Sequence, residues 1–242
     1  MSKSWDPPAA DDQPTPTGKV GGRSVCVFCS SAGGLPEAYR SAARDLGAEL
    51  AGRGHRLVYG GGNVGLMGEV ARSVHEHGGT VVGVIPQGLV DRELAYDPAD
   101  ELLVTDTMRE RKAEMDARAD AFVALPGGFG TLEELLEVLT LRQLRLHDRP
   151  IVLVNVAGYW DPFLAMVSDM VDQGFAPLGE GTLFQVAKTA AEAVDLAEAG
   201  PAPIAGRYDG RGAPVTEAAV EDWTAAPADP APRDAGDATG ER

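Results

Sequence analysis

The chain has 242 residues, 44% of them hydrophobic, which suffices for one substantial core in a single enzyme-sized domain. A formal net charge of -16 and an aromatic content of 6% argue against general nucleic-acid binding, which needs clustered Lys and Arg and, for single strands, stacking platforms; a mononucleotide held locally remains compatible. No stretch approaches the roughly 20 apolar residues that span a bilayer, and the N-terminus lacks a basic-then-apolar leader, so a cytoplasmic protein with no membrane partner is expected.

Residues 1–22 are rich in Pro, Ala, Gly and Asp without periodicity and read as a disordered tail. The first strand is expected at 24–29. Its two cysteines, Cys26 and Cys29, form a single C-x2-C pair with no second pair to complete a zinc site, and strand alternation points them in opposite directions. After Gly33-Gly34 a helix fits 37–52, followed by a strand at 56–60, the Gly60–Gly62 run and a helix over 65–77. His75 and His77 read as a polar helix end before Gly78-Gly79 rather than a ligand pair, and no metal or cofactor is expected. Further strands are placed at 80–85, 102–104, 121–125, 151–155 and 183–186, with helices at 107–118, 131–146, 160–173 and 189–198. Residues 201–242 form a second, acidic Pro/Ala-rich tail read as disordered, leaving 23–200 as the catalytic domain. The alternation predicts an α/β fold: a Rossmann-like doubly wound, mainly parallel sheet with helices on both faces. Ligands of such sheets sit at the carboxyl ends of strands, where both glycine loops fall.

The second of those loops carries the chemistry. Leu125-Pro126-Gly127-Gly128-Phe129-Gly130-Thr131-Leu132-Glu133-Glu134 runs from an apolar strand through a glycine turn into a helix whose Leu132, Leu135, Leu136 and Leu139 recur at helical spacing. Backbone amides at such a helix start bind anions, glycines let the backbone approach a ligand, and Thr131 is expected at the helix cap. Glu133 in a first turn serves equally as a dipole partner. Upstream, Met108-Arg109-Glu110-Arg111-Lys112-Ala113-Glu114-Met115 can be read as a solvated helix face on which Glu110 and Glu114 pair with neighbouring bases.

Together the two segments resemble the Lonely Guy family of cytokinin-activating phosphoribohydrolases, whose signatures are a PGGxGTxxE loop and an upstream MxxRK helix. Both are matched without a gap, by Pro126 through Glu134 and by Met108, Arg111 and Lys112. The resemblance covers roughly residues 23 to 198 and takes in Tyr59 through Gly68, like the family's first glycine-rich loop, and Val84-Ile85-Pro86 followed by Glu93. It implies hydrolysis of the N-glycosidic bond of cytokinin riboside 5'-monophosphates, with AMP as a further substrate, giving free base and ribose 5-phosphate. It implies Arg111 and Glu134 as catalytic residues: Glu134 contacts the ribose and orients or deprotonates water, and Arg111 fixes that carboxylate and the 5'-phosphate end. The substrate-binding set it implies is Glu93, Met108, Lys112, Gly127, Gly128, Phe129, Gly130, Thr131, Glu133, Thr140, Gly61 and Gly62. It also implies a homodimer or higher homo-oligomer with the active site near the subunit boundary.

Other readings of the same residues are weaker. A nicotinamide enzyme is disfavoured because the first loop is spaced GGGxxGxxG and no acidic residue closes the strand after Val81-Val82-Gly83-Val84-Ile85. A P-loop NTPase lacks its GxxxxGK[ST]. Lysine decarboxylase, a label attached to similar proteins, needs a Schiff-base lysine, and only Lys112 and Lys188 lie between the tails. The alternative of a different class is a non-catalytic nucleotide carrier, like the carriers of pterin-type cofactors. The Arg111-plus-Glu134 pair separates the hydrolase from it.

Overall fold

The computed structural model describes residues 22–90, 92, 94–176 and 183–201; the tails beyond Gly22 and Pro201, and Glu93, lie outside the described residues. Seven strands, Ser24–Phe28 (β1), Arg56–Tyr59 (β2), Thr80–Pro86 (β3), Glu101–Thr105 (β4), Ala121–Ala124 (β5), Ile151–Val154 (β6) and Gln185–Ala187 (β7), form one sheet in the order β4-β3-β2-β1-β5-β6-β7. Every pairing is parallel. The helices are Glu37–Gly52 (α1), Gly65–Glu76 (α2), Gln87–Val90 (α3), Met108–Ala117 (α4), Phe129–Gln143 (α5), Asp161–Asp172 (α6) and Ala190–Ala199 (α7), with a 3-10 turn at Val156–Gly158. Among the described residues no helix is long and apolar enough to cross a membrane.

A parallel sheet needs crossovers, and the crossovers bury both faces. One core layer packs Leu46, Leu50, Val70, Val74 and Val194 of α1, α2 and α7 against Val25, Val27, Leu57 and Val123. The other packs Met115, Leu135, Val138, Leu139 and Phe163 of α4, α5 and α6 against Cys26, Val58, Phe122 and Leu153. Cys26 and Cys29 fall in opposite layers, as alternation dictates, and burial raises both thiols above their ordinary range, which disfavours the reactive thiolate. The chain winds outward from β1 through β2, β3 and β4, then crosses back to β5, so neighbouring loops part between β1 and β5.

Boundaries depart from the expected ones where a local backbone device intervenes. Helix α5 begins at Phe129 because Gly128 takes the extended N-cap conformation, and it ends at Gln143, before Arg145 turns left-handed at φ 63°. The four residues of α3 are too few to show a period. The last strand begins at Gln185 rather than 183; Leu183 and Phe184 before it are buried in the core.

Candidate active site

Each glycine loop leads into a helix, α2 or α5, and the two helix N-termini differ in whether a loop carbonyl closes them. At α2, the Ser30 carbonyl accepts the amides of Leu66 (2.9 Å) and Met67 (3.3 Å), so a loop carbonyl closes the end that an anion would otherwise occupy. The Ser30 amide donates to the Pro126 carbonyl at 3.2 Å and ties this loop to the second glycine turn. At α5, the first-turn amides of Phe129, Gly130 and Thr131 have no intrahelical acceptor, and Gly128, Phe129 and Gly130 are exposed. An open helix end of this kind can hold an anion. Thr131 is not its cap: it is the third helical residue, 3% exposed, and its side chain fills the space a Cβ on Gly127 would need. Glu133 likewise falls beyond the first turn, which holds no acidic residue.

Helix α4 delivers the other half. Thr107 and Glu110 form a reciprocal capping box, with the Glu110 amide donating to Thr107 Oγ1 (3.1 Å) and the Thr107 amide to Glu110 Oε2 (3.3 Å). That anchored start turns Arg111 and Met115 inward together, one turn apart. Arg111 Nε donates to the Val84 carbonyl at 3.0 Å and Nη1 to Glu134 Oε1 at 3.1 Å, with both side chains 5% exposed. Its Nη2 lies against Gly60, where a Cβ would overlap it. Burial pushes the Glu134 carboxyl up to about 7, against the opposing pull of Arg111, so the group changes charge near neutrality.

Lys112, the next residue, turns outward onto α5. Its Nζ donates to Glu133 Oε1 (2.7 Å) and Glu137 Oε2 (2.6 Å). Burial works to lower its pKa, but the two carboxylates outweigh it and the ammonium's pKa rises. Among the described residues no group of three or more His, Cys, Asp or Glu side chains is placed to hold a metal.

The sequence model of a family described as possible lysine decarboxylase matches residues 67–197. The chain is 50% identical over 172 residues to the cytokinin riboside 5'-monophosphate phosphoribohydrolase LOG of Oryza sativa subsp. japonica, covering 71% of each protein. It is 48% identical over 177 residues to the LOG5 phosphoribohydrolase of Arabidopsis thaliana, covering 73% of this chain and 78% of that one. The chain belongs to the Lonely Guy family. Among solved structures it is similar to the Moco carrier protein of Chlamydomonas reinhardtii, with a TM-score of 0.56 and 24% identity over 74% of this chain and 97% of that one. It is similar also to the molybdenum cofactor binding protein of Rippkaea orientalis, with a TM-score of 0.58 and 19% identity over 74% and 98%. At that identity the likeness establishes the Rossmann-like fold that Lonely Guy proteins share with carriers.

The decarboxylase description does not fit Lys112 or Lys188, the lysines among the described residues. A Schiff-base amine is activated by a lowered pKa, and that of Lys112 is raised; Lys188 is exposed at the far end of the sheet, beyond β7. Of the residues implied by the Lonely Guy signatures, the structure brings together Arg111, Glu134, Gly127, Gly128, Gly130 and Thr131. Gly61, left-handed at φ 71°, accepts the Tyr96 amide at 2.9 Å, and Gly62 bridges Ala95, so these two tie the first loop to the segment after Glu93. Met108 and Phe129 are 47% and 91% exposed and Glu133 is exposed beside them, whereas Thr140 is exposed with its hydroxyl on the Leu136 carbonyl at 2.7 Å, away from the buried pair. Sequence reasoning missed Tyr159, whose hydroxyl donates to the Gly127 carbonyl. Its only signal is the preceding Gly158, which marks a turn.

Proposed function

We propose that the protein hydrolyses the N-glycosidic bond of cytokinin riboside 5'-monophosphates, and that of AMP, releasing free base and ribose 5-phosphate. The observation that carries this reading is the buried pair of Arg111 on α4 with Glu134 on α5, the helix whose N-terminal amides are open. Glu134 lies five residues below Phe129, about 7.5 Å along the helix axis, a gap that a ribose bridges. The phosphate rests on the amides of Gly128, Gly130 and Thr131, and the anomeric carbon then faces the carboxylate. As the bond to the base breaks, the ribose gains oxocarbenium character, which the Glu134 carboxylate stabilises while it orients the attacking water or takes its proton. Arg111 holds that carboxylate in place, itself fixed by the Val84 carbonyl. Chromatography of free base and ribose 5-phosphate after incubation with isopentenyladenosine 5'-monophosphate, AMP and the matching nucleosides tests the reading, beside a Glu134→Gln control. Release from the monophosphates only, abolished in the variant, is expected; tight nucleotide binding without release would make the protein a carrier instead.

The same reading makes the protein a cytoplasmic homodimer or higher homo-oligomer. Supporting this, Phe129, Glu133, Leu136 and Thr140 form an exposed stripe along α5 at helical spacing, next to the cradle. A second copy packed on that stripe brings its own Thr140 toward the neighbouring site, which accounts for a substrate-binding role that Thr140 does not fill within its own subunit.

A further inference from the structure

We propose that Tyr159 is a positioning residue for the phosphate end of the substrate, acting through the Gly127–Gly128 peptide. This rests on the reading of the α5 cradle given above. The Tyr159 hydroxyl donates to the Gly127 carbonyl oxygen. In a trans peptide the carbonyl and the following N–H point in opposite directions. Fixing the Gly127 oxygen toward Tyr159 therefore aims the Gly128 N–H away from it, into the open end of the helix. Gly127 is buried and Gly128 exposed, and among the described residues the Gly128 amide has no acceptor.

The loop that carries Tyr159 is built to hold it there. After β6, the Asn155 amide donates to the Ala187 carbonyl at 2.8 Å, Asn155 Oδ1 accepts the Trp160 amide at 2.8 Å, and Asn155 Nδ2 donates to Asp161 Oδ1 at 2.7 Å. Between these anchors Ala157 and Gly158 are both left-handed, at φ 51° and 72°, and Ala157 adopts that conformation without the freedom of glycine. The two turns reverse the chain and swing Tyr159 back over the rim. Its ring is then held edge-on by Tyr39 of α1 (centroids 5.8 Å apart, 77°) and by Trp160 (5.2 Å, 88°).

Tyr159→Phe keeps the ring and removes the hydroxyl. In the full chain, KM for the nucleoside monophosphate rises about 3- to 10-fold, the range one hydrogen bond covers, while kcat stays within about 2-fold. Inhibition by adenosine, which lacks the phosphate, is unchanged. The rise in melting temperature caused by ribose 5-phosphate or by inorganic phosphate shrinks in the variant. An unchanged KM with an unchanged phosphate-induced shift would overturn the proposal, as would an equal weakening of adenosine and phosphate, which marks a site deformed as a whole. The melting shift does not depend on turnover, so it reads the role of Tyr159 even if the wild-type protein releases no base.

Discussion

Glu134 is 5% exposed and rests against a guanidinium, yet burial outweighs that partner and its carboxyl titrates near 7 instead of 4.5. In the proposed reaction the carboxylate form activates water and steadies the oxocarbenium ion, so the rate should climb with pH and level off above about 7. That limb lies above the second ionisation of the substrate phosphate, at about 6; a rate independent of pH between 5.5 and 8 would remove Glu134 from the chemistry. Stability follows the opposite course. Between about 4.5 and 7 the unfolded chain has released this proton while the folded chain keeps it, so the folded state binds more protons and loses stability as pH rises through the window. Glutamine mimics the protonated side chain. Glu134→Gln should therefore cost about 10²–10⁴ in rate, melt close to the wild type at pH 5, and be more stable at pH 8 by on the order of 1–3 kcal/mol. Calorimetric melts at the two pH values check this; a lower melting point at pH 8 would mean that leaving Arg111 without its partner dominates.

At the scale of elements, the site depends on how closely the β2–α2 turn approaches α4. A Cβ on Gly60 overlaps Arg111 Nη2, the far end of a flexible side chain, so Gly60→Ala should fold and expel the guanidinium. The expected outcome is a fall in kcat of at least about tenfold, with Glu134 itself untouched, and a stability loss of about 1–3 kcal/mol from the buried hydrogen bonds to Val84 and Glu134. Kinetics and denaturant melts of that variant decide it, and wild-type kcat would show that Arg111 need not be held there. The core strands of this architecture were legible because strands buried on both faces are short apolar runs, here each closed by a proline, as in Val81 to Ile85 before Pro86 and Ala121 to Leu125 before Pro126. The start of α5 was not: Thr131 is a good cap by type, and nothing in the sequence reveals that Gly128 takes the cap while Thr131 packs over Gly127. Arg111 and Glu134 stand 23 residues apart on helices separated by β5, so their contact was readable only through resemblance, never through spacing. Tyr159 reaches Gly127 across 32 residues and a left-handed turn, a contact with no local pattern.

For the whole molecule, α5 carries apolar side chains that the described residues leave exposed. Of the leucines that exceed one stripe on this helix, Leu135 and Leu139 enter the core, whereas Leu136 is 45% exposed in line with Phe129 at 91%. Large apolar side chains aligned beside a polar cradle mark an interaction surface more often than a solvated face. If a second copy packs there with two-fold symmetry, each substitution acts twice, because the same stripe serves both subunits. Burying one leucine is worth about 1.5–3 kcal/mol, so Leu136→Glu removes at least twice that from the pair and weakens self-association by about 10²–10⁴-fold or more. Light scattering on the size-exclusion peak should then show the wild type as a dimer or larger at micromolar concentration and the variant as a monomer. If Thr140 serves the neighbouring site as proposed, activity should fall with the mass although Arg111, Glu134 and the open end of α5 remain in place. A wild type that elutes as a monomer would end the oligomer proposal and leave Thr140 outside the site. A monomeric variant with full activity would show that each subunit is complete by itself.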